Sequence, residues 1–185
     1  MMKRYGFTLV ELMVVIFIFS IIMAATFAVL SIGRQSWHTG STQVELQQET
    51  RRAMDRMVKE LRQSGQTTIV GVLADGNPYF AITFQLPEDA GSDDDALDGT
   101  GNIEWGNQIT YSLAGNQVQR ASAGSTTILA NKVATLEFKR SPDNPMTPDV
   151  DESNIIEISL QAQKDALPGG RQMQSTLNSQ VTLRN

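Results

Sequence analysis

Gly6-Phe7-Thr8-Leu9-Val10-Glu11-Leu12 opens an apolar run that continues as LMVVIFIFSIIMAATFAVL from Leu12 to Leu30 without a charged residue. At about 1.5 Å per residue, that run makes a helix of roughly 28 Å, close to a hydrocarbon core of about 30 Å. Lys3 and Arg4 precede it. The positive-inside rule therefore keeps the N-terminus cytoplasmic and sends the rest outward. Glu11 is the anomaly, a carboxylate at the mouth of an apolar helix. A charge deep in a bilayer costs about 2.5–3.5 kcal/mol, so Glu11 calls for a partner.

Gly6, Phe7, Glu11, the short basic leader and the long apolar run together resemble the N-terminal signature of type IV prepilins and type II secretion pseudopilins. The resemblance implies cleavage after Gly6 by a prepilin peptidase and methylation of the new N-terminal amine at Phe7. It also implies assembly with other pilin or pseudopilin subunits through the N-terminal helix, where Glu11 acts. Phe7 and Glu11 stand one helical turn apart, so a freed amine could meet the Glu11 carboxylate of its own chain or a neighbour's. Such a pairing would fix axial register, as a buried polar residue does in a coiled coil. Two plainer readings compete. An ordinary signal peptide has an apolar region of about 7–15 residues and an A-x-A-like cleavage site; this run is longer, and Ala24-Ala25-Thr26 is a poor site. A plain single-pass anchor fits the hydropathy, but neither alternative accounts for the offsets of glycine, phenylalanine and glutamate.

The 185 residues allow one modest domain beyond an anchor. There is no cysteine, so the exported domain relies on its core or on a metal. The same absence separates the chain from major pilins that close a C-terminal loop with a disulfide. Net charge is −5, and beyond Gly65 fifteen acids face seven bases. An acidic domain repels phosphates, so no nucleic acid partner is expected.

Beyond Leu30 the polar stretch from Arg34 to Ser64 carries Met54, Met57, Val58 and Leu61 at i, i+3, i+4 and i+7, one apolar stripe. Arg51/Asp55, Asp55/Lys59 and Arg56/Glu60 are i, i+4 pairs of opposite charge. Gly65 reads as a helix stop. Gly33 and Gly40 each cost about 1 kcal/mol in a helix interior and predict a bend or loosening between them. Trp37 fits an interfacial belt, and His38, the lone histidine, reads as an exposed helix residue. The family resemblance implies one helix from Thr8 to Ser64, about 85 Å long.

From Gln66 onward the pattern turns to short β-like runs between turn residues. Strands are expected at 67–73, 79–86, 103–113, 117–121, 126–130, 132–140, 155–163 and 172–183, with a hairpin at Ala114-Gly115-Asn116. A helix followed by antiparallel strands is an α+β pattern. The expected organisation is a leader at 1–6, a transmembrane and assembly helix at 7–32, an amphipathic helix at 33–64 and a β-rich extracytoplasmic domain at 65–185. In the pilin-like arrangement that the resemblance implies, the helix packs on an antiparallel sheet. The stretch 108–140, with Tyr111-x-Leu113-x-Gly115-Asn116-xxx-Arg120 followed by Ile128-Leu129-Ala130-xx-Val133-xx-Leu136-x-Phe138, is also similar to the J-type pseudopilin and to W-type minor pilins.

Two acidic loops, Glu88 to Gly101 and Asp143 to Glu152, could offer oxygen ligands to calcium, with Asp93, Asp94, Asp95 and Asp98 as candidates. The EF-hand pattern fails: with Gly99 at the turn, Ala96 and Trp105 occupy ligand positions. A solvated acidic loop is the plainer reading, and no other cofactor is indicated. One histidine and no cysteine leave no Ser-His-Asp or Cys-His set, and the phosphate and dinucleotide fingerprints are missing. The expectation is a minor pilin or pseudopilin of the bacterial inner membrane, single-pass, not an enzyme. A tip adhesin on the same scaffold and a membrane-anchored extracytoplasmic enzyme are the alternatives.

Overall fold

The computed structural model describes residues 8–88, 96–97, 100–142, 152–165 and 172–184. Helix α1 spans Leu9–Gln63 without interruption. Gly33 and Gly40 lie inside it and leave it continuous, contrary to the bend or loosening their sequence suggests. Neither glycine has a neighbour within 4 Å of where a Cβ would stand. The helical penalty at each is about 1 kcal/mol, too little by itself to break a continuous ladder of 55 residues.

The chain divides into two compact units, 1–42 and 43–185. In the first, every large apolar side chain from Leu9 to Ile32 is exposed. The second is built from the last turns of α1 and seven strands. These are β1 (Ala81–Pro87), β2 (Trp105–Ala114), β3 (Gln117–Ser122), β4 (Ser125–Asn131), β5 (Val133–Arg140), β6 (Ile155–Asp165) and β7 (Gln172–Thr182). They form two antiparallel sheets, ordered β1-β2-β3-β4 and β5-β6-β7. The architecture is α+β.

The apolar stripe of α1 packs as its spacing predicts. Met54, Met57 and Leu61 are buried, Val58 is half-buried, and Leu46 and Ala53 extend the stripe. They meet Ile82, Phe84, Ile109, Tyr111 and Val118 from the first sheet and Leu136, Phe138, Ile156, Ile158 and Leu160 from the second. Strand alternation sends these residues inward and their neighbours outward. The Phe84 and Tyr111 rings lie 5.6 Å apart.

The stretch 67–73 is not a strand. Gln66–Thr68 forms a 3-10 turn, and Val70 makes one isolated bridge to Thr83 before Gly71 at φ +88 leaves the extended region. Its apolar content makes no ladder: Val72 is buried and Ile69 half-buried, while Val70 and Leu73 are exposed. The stretch beginning at Tyr79 pairs first with Phe138 of β5, and β1 starts at Ala81. Gly65 follows the helix but is extended, at φ −85 and ψ 149, so it is no left-handed cap. Its role is room: a Cβ there would lie 2.6 Å from the Trp105 ring. The β2–β3 hairpin closes on Gly115 at φ +59, as expected for a two-residue turn.

Candidate functional site

Thr8 and Glu11 set the start of α1. The Thr8 hydroxyl accepts the Glu11 backbone N–H at 3.2 Å, and the Thr8 carbonyl accepts the Leu12 N–H at 3.2 Å. Thr8 is thus the N-cap and Glu11 the third helical residue, the spacing of a capping box. The carboxylate also lies at the positive end of the helix dipole, where an anion is favoured. The expected helix start at Thr8 is thus its cap, and Thr-x-x-Glu ahead of an apolar run is the sequence signal for it. Glu11 is exposed in the single chain, open to a partner. Gly6 and Phe7 lie outside the described residues, as does the 1–6 leader.

Along the apolar run the few hydroxyls bond inward. Ser20 donates to the Phe17 carbonyl, Thr26 to Ile22 and Ser31 to Ala28, at 2.7–2.8 Å. The helix therefore presents no unpaired hydroxyl at these positions and is long and apolar enough to cross a membrane.

Residues 1–27 match the family model described as the prokaryotic N-terminal methylation motif. The chain carries a prepilin-type N-terminus. No curated protein matches the chain, and no solved structure does. This signature is that of pilins and pseudopilins, and it points to a structural subunit.

In the second unit, three acids of the prepilin-type helix fasten it to the sheets. Glu60 accepts from Tyr111 Oη at 2.7 Å, from Arg120 Nε at 2.9 Å and from Arg56 Nε at 3.0 Å. Burial opposes its charge, but these donors outweigh burial and hold the carboxyl below its ordinary range. Burial, then Glu60, push the Tyr111 hydroxyl upward. Arg120 is raised too: burial opposes its charge most, but the bond to Glu60, the Glu60 charge and Tyr111 together outweigh it. Tyr111 and Arg120 face each other across the β2–β3 hairpin, so the turn at Gly115 brings the pair together. Glu49 accepts both the backbone N–H and the amide of Asn131, at 2.7 and 2.8 Å. Glu45 pairs with Lys164 at 2.6 Å, which draws its carboxyl downward.

Asp93, Asp94, Asp95 and Asp98, the candidate calcium ligands, lie outside the described residues. Among the described residues no cluster of three or more His, Asp or Glu could hold a metal ion. A groove of about 700 Å³ on the outer face of β5–β7 is lined by Glu137, Lys139, Glu157, Ser159, Asn178 and Gln180. It is open and holds no nucleophile–base pair of the kinds sought in the sequence.

Proposed function

We propose that this chain is a minor pilin or pseudopilin subunit, anchored in the bacterial inner membrane and built into a type IV pilus or a type II secretion pseudopilus, at its start or tip. The observation that carries the reading is the match over residues 1–27, joined to a long helix capped by Thr8. Prepilin peptidase cuts after Gly6 and methylates Phe7. The domain beyond the anchor is displayed on the periplasmic side. Assembly replaces lipid around the exposed Leu9-to-Ile32 face with neighbouring helices. There the Phe7 amine, most simply a neighbour's, neutralises Glu11.

Mass spectrometry of the membrane-extracted protein tests this directly. The expected product lacks Met1 to Gly6 and bears a methyl group on Phe7. Gly6→Ala is expected to permit cutting, and a bulky or charged residue there to block it. Glu11→Val is expected to leave cutting intact while methylation or incorporation falls. An intact Met1, or loss of the whole apolar run, overturns the reading. Full incorporation of the Glu11→Val chain overturns the pairing alone.

A further inference from the structure

The outward face of the last turns of α1 is basic. Arg51, Arg52, Arg56, Lys59 and Arg62 are exposed there, with Asp55 as the one exposed acid between Thr50 and Gln63. At 3.6 residues per turn these six fall within a sector of about 140°, over about 16 Å of helix. The sector lies opposite the buried Ala53, Met57 and Leu61. Glu60, the other acid of this stretch, is turned inward to Tyr111 and Arg120 and also holds Arg56.

The sequence offers Arg51/Asp55 and Asp55/Lys59 as i, i+4 pairs, but neither closes. Among the described residues the ion pairs are Arg56–Glu60, Arg120–Glu60 and Lys164–Glu45. Arg51, Arg52, Lys59 and Arg62 therefore make no ion pair within the chain. The helix dipole accounts for Arg62, a cation in the last turn. It does not account for Arg51 and Arg52, about three turns back, because its effect falls off within one turn. Arg52 and Arg56 also stand i, i+4 with like charge, an arrangement that weakens a helix.

The rest of the same compact unit has the opposite sign. Beyond Gly65 fifteen acids face seven bases. Two of those bases, Arg120 and Lys164, are already paired with Glu60 and Glu45 of α1. One chain thus carries a small basic face and a separate acid excess. A nucleic acid or a lipid surface extends past a face of about 16 Å and then meets the acid excess, which repels it. A protein surface of similar size and opposite sign escapes that repulsion, and a second copy of this chain brings one. The two surfaces differ, so the contact is heterologous. A row of copies joined this way keeps a basic face free at one end and an acidic surface free at the other, the open-ended form that a filament needs.

We propose that the basic face of α1 seats the acidic surface of a second copy through Arg51, Arg52, Lys59 and Arg62. The proposal rests on the subunit reading above for its place in a filament. The contact lies within the 43–185 unit and is separate from the packing of the Leu9-to-Ile32 face.

The test is sedimentation of the full chain in a neutral detergent at about 0.01 M and about 1 M salt, where the screening length is about 30 Å and about 3 Å. Self-association is expected to be tighter by about 10-fold or more at the lower salt. A chain carrying Arg51→Gln, Arg52→Gln, Lys59→Gln and Arg62→Gln is expected to lose that salt-dependent step. Glutamine is a good helix former and the four sites are exposed, so helical content and melting should stay those of the native chain. The variant keeps its acidic surface, so it is expected to cap native copies: mixed in equal amount at low salt, it lowers the mean mass of their assemblies. Self-association indifferent to salt, or native assemblies unchanged by the variant, overturns the proposal. Loss of the variant from filaments, with no salt-dependent self-association of the native chain, overturns it in favour of a different acidic subunit. Retention of the native chain on duplex DNA or on phosphatidylserine vesicles, again without self-association, overturns it in favour of a polyanion. Failure to remove residues 1–6 from the unaltered chain in cells is a separate result and overturns the subunit reading.

Discussion

Glu60 joins the helix to the hairpin through three donors, and its side chain is only 13% exposed. Removing it leaves Arg120, 17% exposed, without its partner. Glu60→Ala is expected to cost about 3 kcal/mol, in the range for breaking a largely buried pair. Denaturant unfolding of the detergent-solubilised chain measures it. The carboxyl is depressed in the folded state, so its stabilising contribution is complete above the unfolded value of about 4.3. It is lost as pH falls through the lower folded value. The stability gap between the native chain and Glu60→Gln should therefore narrow below about pH 4; a gap constant from pH 7 to pH 3 contradicts this account. Half of this cluster was legible in the sequence. The turn at Gly115 sets Tyr111 opposite Arg120 by counting alone. Glu60 was visible only as one member of an i, i+4 pair with Arg56, because its approach to the hairpin depends on how α1 lies on the sheet.

α1 was legible as one element because two signals of different kind meet in it. The apolar run is uniform, and the Met54-to-Leu61 stripe has helical period. Its glycines misled, since a propensity is weak evidence against a ladder of 55 residues. Gly33→Ala and Gly40→Ala meet nothing within 4 Å. Each is expected to stabilise the helix by about 1 kcal/mol. Backbone amide exchange around 33–40 should slow, while the melting temperature of the 43–185 unit stays fixed. The strands were legible where alternation and turn residues agree, as in β6, which alternates Ile156, Ile158 and Leu160 with Glu157, Ser159 and Gln161. The stretch 67–73 reads as a strand by its apolar β-branched content, but that content sits in a turn where Val72 is buried and Val70 and Leu73 are exposed. Thr68 is buried there with its hydroxyl bonded to the Gly65 carbonyl, a local bond that competes with a ladder.

The whole chain separates anchoring from folding along the sequence. Among the described residues every buried core residue lies at Leu46 or beyond, and the compact unit begins at Gln43. The contacts of Glu45, Glu49 and Glu60 all fall within that unit. A chain of residues 43–185 should therefore fold without detergent and unfold cooperatively. A cut at 65 instead discards Leu46, Ala53, Met54, Met57 and Leu61. At about 2–5 kcal/mol for each of the four large side chains, the loss matches or exceeds the whole stability of a typical domain, about 5–15 kcal/mol. The 65–185 chain should aggregate or stay unfolded, with the apolar faces of both sheets bare. Thermal unfolding and size-exclusion of the two fragments decide the matter. If 43–185 needs detergent to remain monomeric, the division drawn here is wrong; if 65–185 folds alone, the helix stripe is dispensable to the core.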